Sequence, residues 1–283
     1  MIKIGILCNP HYPETLDLAA SIQNTLHERG IQVLCSGQVE KEQVSFPSDL
    51  DLLVTLGGDG TMLRAAHLVS DVATPILGIH MGRLGFLAEV RVEDWRENLD
   101  RVLNDDYWVE ERAMLRGELQ RDGVKLGSWE ALNEIVIGRR GMSHMVRLAT
   151  YVDGGYLTTY VADGLIVATA TGSTAYALSA GGPILPPNLR NMLLVPICPH
   201  LSLDRTIVLA NGATVKVQVE STSEGVLSVD GMVNIALQDQ DQVSLTTSGH
   251  MARFLRLYDR RQVYETLLER LKPRKIARPY GSS

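Results

Sequence analysis

The chain has 283 residues, of which 45% are hydrophobic and 21% charged, and its formal net charge at pH 7 is -6. This length fits one large domain or two of ordinary size, and the acidic balance argues against a nucleic-acid partner. No apolar run approaches the roughly 20 residues that cross a bilayer, so we expect no membrane partner. The three cysteines, Cys8, Cys35 and Cys198, are widely spaced and odd in number. We therefore predict buried thiols in a cytoplasmic protein, with neither a disulfide framework nor a zinc site.

Strand and helix patterns alternate over residues 1–110. The apolar run from Ile2 to Leu7 is typical of strands buried in parallel sheets, and a helical pattern follows it over 9–30. "IQVLCS" and "DLDLLVTLGG" predict two more strands, the second followed by a helix over "TMLRAAHLV". "TPILGIH" and "VEDWRENLDRVLN" repeat the pattern. This order predicts a doubly wound, Rossmann-like α/β domain, in which ligands bind at the carboxyl ends of the strands.

The pattern changes over residues 111–258, where short β-prone segments are separated by DG and GG turns. One helix-prone segment, "TAYALSAGG", interrupts them. We predict a second, predominantly β domain that binds the nucleotide. Residues 259–272 show an amphipathic helical pattern and are expected to pack back on the first domain, while 273–283 form a tail.

The stretch "VTLGGDGTML" combines the end of a predicted strand with three glycines and one carboxylate. Glycines let a backbone approach a ligand closely, and amides at a helix N-terminus favour anions. The stretch lacks both the GxxxxGK[ST] and the GxGxxG patterns, so it is neither a P-loop nor the usual dinucleotide fingerprint. Asp59 can hold Mg²⁺ between phosphates, or accept a proton from an attacking hydroxyl. A third interpretation is that Asp59 caps a helix starting near Thr61.

Four segments occur in the order found in one family: "GGDGTMLRAA", "NEIVI", "ADGLIVATATGSTAYALSAGGP" and "CPH". Together they resemble NAD kinases, which phosphorylate the 2′-hydroxyl of the adenosine ribose of NAD, and the resemblance covers roughly the whole chain. The GGDG segment alone is weak evidence for this family, because lipid kinases and 6-phosphofructokinases have related loops. The third segment is far more specific.

The resemblance implies an enzyme that transfers a phosphoryl group from ATP, or from polyphosphate, to NAD. It also implies Mg²⁺ or another divalent metal, and a homodimer or homotetramer. Asp59 takes the role of the base that receives the proton of the 2′-hydroxyl. The other residues implied to contact the nucleotides or their phosphates are Gly57, Gly58, Gly60, Thr61, Arg64, Phe86, Asn133, Glu134, His144, Asp163, Thr171, Ser173, Thr174, Ala175, Tyr176, Ala177, Leu178 and Ser179.

No HExxH, paired CxxC or acidic cluster predicts a metal site built by the protein itself. The chain departs from the family pattern at His80, where asparagine is common, and at Met232, where glutamine is frequent. Val161 replaces an arginine found in some members, which leaves the preference between NAD and NADH open. Two other functions remain open as well: a lipid or sugar kinase with a GGDG loop, and a catalytically inactive dinucleotide sensor. Asp59 argues against the sensor, and the lack of a membrane-docking apolar stretch argues against a lipid kinase.

Overall fold

The computed structural model describes residues 2–9, 11–36, 45–82, 85–141, 144–220 and 225–259. The predicted C-terminal helix, except for its first residue, and the predicted tail lie outside these ranges. The helices are α1 (Glu14–His27), α2 (Asp59–Val69), α3 (Trp95–Leu103) and the short α4 (Tyr176–Ser179), and 3₁₀ turns cover Val92–Asp94 and Gly172–Thr174. No helix within the described ranges is long and apolar enough to span a membrane.

The strands in chain order are β1 (Lys3–Cys8), β2 (Gln32–Ser36), β3 (Leu52–Gly57), β4 (Ile76–His80), β5 (Val90–Arg91), β6 (Trp108–Arg121), β7 (Val124–Ala131), β8 (Glu134–Arg139), β9 (Val146–Val152), β10 (Gly155–Ala162), β11 (Gly164–Ala168), β12 (Met192–Ile197), β13 (Ile207–Leu209), β14 (Val215–Val219), β15 (Gly225–Val229), β16 (Val233–Leu237) and β17 (Gln242–Arg256).

The first third folds into the predicted parallel α/β arrangement. Its strands lie in the order β4-β3-β1-β2, and each neighbouring pair is parallel. All six residues of β3 are buried, as expected for a central strand covered by helices on both faces. The carboxyl end of β3 leads directly into α2, so the glycine-rich stretch lies at the edge of the sheet where ligands bind in this class of fold.

The predicted β-rich part is also confirmed, although its strands belong to two sheets. One sheet has six strands in the order β13-β12-β11-β8-β15-β16, and its neighbouring strands are antiparallel. The remaining strands extend the first sheet to eleven, because β17 runs beside β4 and pairs with it at Phe254 and Ile76. The division into domains near residue 110 therefore stays a prediction, since the chain crosses that position within one continuous sheet.

One apolar cluster joins the segments that carry the predicted site. Met62 of α2, Leu87 of the loop before β5, Leu132 before β8 and Phe254 of β17 are all buried in it. Burying side chains of this size stabilises a fold by about 1.5–3 kcal/mol each. The cluster consequently fixes the loops that carry Leu87 and Leu132 relative to α2 and β17.

The prediction that all three cysteines are buried is wrong for two of them. Cys8 is buried at the end of β1, but Cys35 and Cys198 are exposed, and all three are free thiols. Cys8 and Cys35 lie on neighbouring strands, and their thiols share a hydrogen bond that holds the pKa of Cys35 at about 7. Sequence spacing reveals neither the face of a strand on which a residue lies nor its neighbour on the next strand.

Candidate active site

Asp59 is the first residue of α2, and Gly58 is its N-cap. The interpretation of Asp59 as a helix cap is wrong, because α2 has no side-chain cap hydrogen bond. Instead the carboxylate accepts hydrogen bonds from two amides of the loop after β4. The amide of Phe86 donates to Oδ2 at 2.7 Å, and that of Leu87 donates to Oδ1 at 3.0 Å. These two amides fix the orientation of the Asp59 carboxylate. Each carboxylate oxygen keeps a second lone pair for another donor or a cation.

The glycines around Asp59 fall into two kinds. A Cβ on Gly57 would overlap the Thr61 hydroxyl, and a Cβ on Gly85 would overlap the Asp59 carboxylate itself. Both positions therefore demand glycine for close packing. Gly58 and Gly60, in contrast, have open space where a Cβ would lie. This open space around Gly58 and Gly60 leaves room for a ligand beside the first amides of α2, where the helix dipole favours phosphate.

Three more predicted or notable residues surround this turn. Arg64 is half-buried on α2, one helical turn beyond Gly60, and Phe86 is half-buried in the loop that orients Asp59. His80 is buried beside the glycine-rich stretch, since it pairs with Gly57 across β3 and β4. Its Nδ1 donates to the Gly82 carbonyl at 2.8 Å, which leaves Nε2 as an acceptor without a partner among the described residues.

Glu134 is the first residue of β8 and is only 8% exposed. Burial, followed by the nearby negative charge of Asp230, raises the pKa of Glu134 to about 7, although the amide of Tyr176 donates to the carboxylate and opposes this rise. Its Oε2 has no partner within the described part of the chain. A buried acceptor of this kind is costly unless a ligand satisfies it.

The turn over residues 169–179 lies directly against Asn133. A Cβ on Gly172 would overlap the carbonyl oxygen of Asn133, and that oxygen accepts the amide of Thr169 at 2.9 Å. The hydroxyl of Thr171 is buried and has no partner in the described ranges, so this turn carries a second unsatisfied group. Asn133 and the turn over residues 169–179, which the family resemblance assigns to one nucleotide site, are therefore in contact in the structure.

Not every hydroxyl predicted in this turn is free to bind a ligand. Ser173 is fully buried, and its hydroxyl donates to the Ala170 carbonyl at 2.6 Å while accepting the Leu185 amide at 2.9 Å. Thr174 donates to the Thr171 carbonyl at 3.1 Å. Ala177 is buried in the core of the six-stranded sheet. The accessible groups of the turn are Ala175, Tyr176, Leu178 and Ser179, all of which are half-buried or exposed.

Asp163 and His144 lie away from Glu134 in the same chain. β8 and β11 are antiparallel, and the pairing runs from Glu134 and Ala168 at one end to Gly138 and Gly164 at the other. Asp163, at the second end, forms an ion pair with Arg139 at 3.1 Å. At about 3.3 Å per residue, roughly 15 Å of strand separates the two carboxylates. His144 is exposed just before β9, whose first residue pairs with Ala162 next to Asp163.

The structure also reveals residues that the sequence did not single out. Asp230, in the turn between β15 and β16, accepts the amides of Leu132, Asn133 and Glu134. Arg256, at the end of β17, donates to the Leu87 carbonyl at 2.7 Å. In the sequence, Asp230 belongs to a DG pair that reads simply as a hairpin turn. The partners of both residues are more than 90 positions away, so no local pattern points to them.

Comparison with known protein families gives two matches that together cover most of the chain. Residues 43–107 match the ATP-NAD kinase N-terminal domain, and residues 132–257 match the ATP-NAD kinase C-terminal domain. The NAD kinase of Moorella thermoacetica is 42% identical over 285 aligned residues, which cover 96% of this chain and 90% of that protein. The NAD kinase of Chloroflexus aggregans is 40% identical over 271 residues, covering 95% of this chain and 98% of that protein.

Two solved structures show the same fold. A yeast NADH kinase complexed with NADH superposes with a TM-score of 0.84 at 26% identity, covering 98% of this chain and 90% of that one. An NAD kinase from Archaeoglobus fulgidus in complex with ATP superposes with a TM-score of 0.75, also at 26% identity, covering 95% of this chain and 98% of that one.

Proposed function

Because the chain belongs to the NAD kinase family, we propose that its described residues carry out phosphoryl transfer from ATP to NAD with Asp59 as the base. The protein is an NAD kinase that forms NADP. Family membership removes the lipid and sugar kinases from consideration, and ATP is the donor that the family supports.

The observation that carries the proposal is the pair of unsatisfied buried groups beside Asn133. Glu134 Oε2 and Thr171 Oγ1 are both buried and lack partners among the described residues. The hydroxyls of the adenosine ribose are donors and acceptors of the kind that these two groups require. We place the ribose there, with Asn133 and Tyr176 available to the adenine. We propose that the 2′-hydroxyl is directed from there towards Asp59 at the start of α2.

Asp59 would then receive the proton of the 2′-hydroxyl as the phosphoryl group is transferred. The amides of Phe86 and Leu87 fix its carboxylate, so the geometry is set before substrate binds. Glycine amides at the start of α2 would face the phosphates. The His80 Nε2 acceptor lies nearby and can receive a hydrogen bond from a bound hydroxyl or amine.

Mg²⁺, or another divalent metal, is part of the proposal. The described residues contain no group of three or more His, Cys, Asp or Glu that could hold a metal. We propose that the cation is held mainly by phosphate oxygens and water, which leaves Asp59 to receive the proton. A cation held in this way would neutralise charge on the transferred phosphoryl group.

Replacing Asp59 by Asn tests the base. We expect turnover to fall about 10²–10⁴-fold, as is usual when a general base is lost, while the Kd for NAD changes little. NADP formation and calorimetric NAD binding give the two readouts. Asp94→Asn is the control, because Asp94 is the exposed N-cap of α3 and also has no side-chain cap hydrogen bond. Near-normal turnover would refute the base, and loss of NAD binding would reassign Asp59 to a structural role.

We also propose a homodimer or homotetramer in the cytoplasm. The distance of Asp163 and His144 from Glu134 within one chain supports the oligomer, since a second copy can bring that end of β11 to the nucleotide. Light scattering at assay concentrations tests this directly. Full activity in a monomer would contradict it. Exchanging ATP for polyphosphate in the same NADP assay tests the donor. Exchanging NAD for NADH, with NADPH as the product measured, tests the acceptor.

A further inference from the structure

Asp230 holds the backbone of the segment that carries Asn133 and Glu134. Its Oδ2 accepts the amide of Leu132 at 2.8 Å, and its Oδ1 accepts the amides of Asn133 and Glu134, both at 2.9 Å. The Asp230 side chain is fully buried, and its own amide donates to the Glu134 carbonyl at 3.0 Å. A carboxylate that accepts several backbone amides at once fixes the path of the chain over all of them.

The same carboxylate contacts the helix that begins at Asp59. His67 lies on α2, and its Nε2 is 2.7 Å from Oδ2 of Asp230. Eight residues separate His67 from Asp59, which at 1.5 Å per residue is about 12 Å along the helix axis. One end of α2 therefore carries the proposed base, and the other end is hydrogen-bonded to the support of the NAD-binding segment.

We propose that Asp230 and His67 are positioning residues that set the distance and orientation between Asp59 and the NAD held by Asn133 and Glu134. The inference rests on the site proposed above. Asp230 fixes the NAD-binding segment to the turn between β15 and β16, and His67 ties that assembly to α2. Phosphoryl transfer depends on in-line alignment, and misplacement by about 1 Å can cost roughly 100-fold in rate. Neither residue needs to touch a substrate to act in this way.

Two substitutions of His67 separate hydrogen bonding from packing. His67→Ala removes the link while leaving Asp230 and its three amides intact. We expect kcat to fall about tenfold or more with little change in the Kd for NAD, because the NAD-binding segment keeps its support. His67→Gln places an amide nitrogen at the same number of bonds from Cα as Nε2, so it can donate to Asp230 and restore most of kcat. His27→Ala, on the exposed face of α1, is the control.

Asp230→Asn provides a second readout, which a purely structural role would not move. The neighbours of the Glu134 carboxylate are Asp230 and the Tyr176 amide. His67 is hydrogen-bonded to Asp230. Asp230 is the charged neighbour that favours the protonated form of Glu134. Removing its charge should shift the inflection in the pH profile of the Kd for NAD towards acid, whereas His67→Ala should not shift it in that direction.

Wild-type NADP formation is measured first and tests the function independently of the variants. Unchanged kcat in a folded His67→Ala protein would overturn the inference. Equal loss of kcat in His67→Ala and His67→Gln would also overturn it, because packing alone would then explain both. A pH inflection that stays in place in Asp230→Asn would also count against the inference, because Asp230 would then not act on Glu134. If Asp230→Asn does not fold, the His67 series still decides the positioning role.

Discussion

Replacing Glu134 by Gln should stabilise the free protein while weakening its activity. The Glu134 carboxylate is buried beside Asp230, and one of its oxygens has no partner among the described residues. Gln has nearly the same shape and can still accept the Tyr176 amide, but it carries no charge. The substitution therefore removes a buried charge from the free enzyme.

The size and pH dependence of this effect follow from the pKa of Glu134. Burial and Asp230 raise it from 4.5 to about 7. A raised pKa means that the folded protein holds the proton more tightly than the unfolded chain. Stability from this group is therefore fully present below about pH 4.5 and is lost as pH rises through 7. Relative to Gln, the loss is about 3 kcal/mol at pH 8 and below about 1 kcal/mol at pH 5.

Thermal unfolding without ligand checks the prediction. We expect Glu134→Gln to raise Tm by roughly 6–12 °C at pH 8 and by much less at pH 5, using about 2–4 °C per kcal/mol for a large domain. NAD affinity should fall, because the Gln oxygen that accepts the Tyr176 amide leaves an NH2 donor in place of the free Oε2 acceptor. Glu93→Gln, at an exposed position, should show no such pH dependence. Equal Tm values for Glu134→Gln and wild type at pH 8 would refute the argument.

Two further substitutions test the packing around the site. Gly172→Ala should raise the Kd for NAD by roughly 10–100-fold, because the added Cβ would overlap the Asn133 carbonyl and overpacking costs about 1–3 kcal/mol. Calorimetric NAD binding measures this change. Gly249→Ala is the control, because a Cβ at that position meets open space. Burial opposes ionisation of Glu110, yet Arg112 and Arg256 outweigh it and hold the pKa of Glu110 below its usual value. Glu110 therefore stabilises at neutral pH and loses this effect as pH falls, so Glu110→Gln should lower Tm at pH 7 and flatten its acid dependence.

The sequence predicted the elements well, because their patterns are local. The buried runs of β1, β3 and β4 and the glycine-rich turn identify a parallel α/β unit without knowledge of any contact. The DG turns likewise predict the antiparallel part. The sequence did not predict that β17 joins the N-terminal parallel strands and the later antiparallel strands into one sheet, because this depends on a pairing between residues 76 and 254.

The candidate site was predictable only in part, for the same physical reason. The residues proposed to contact NAD lie in stretches that resemble a known family, and several of them meet in space. The partners that orient them are distant in sequence: the Phe86 amide for Asp59 and the Asp230 carboxylate for Asn133. Nothing in the side chain of Phe86 indicates that its backbone amide is the functional group. Ser173 shows the converse, since its hydroxyl looks like a ligand contact but is already bonded to the Ala170 carbonyl and the Leu185 amide.

Two loops of the site are held in the same way, by a carboxylate that accepts hydrogen bonds from their backbone amides. Asp59 accepts backbone amides of the 85–87 loop, and Asp230 accepts those of 132–134. The 85–87 loop is held from its other side as well, where the buried Arg256 binds the Leu87 carbonyl and pairs with Glu110 at 2.8 Å. Because backbone groups provide this support, the half-buried side chains of Phe86 and Asn133 remain available to the nucleotide. The alignment of base and ribose then depends on buried charges in β6, β17 and the β15–β16 turn, so substitutions that never touch a substrate should alter kcat.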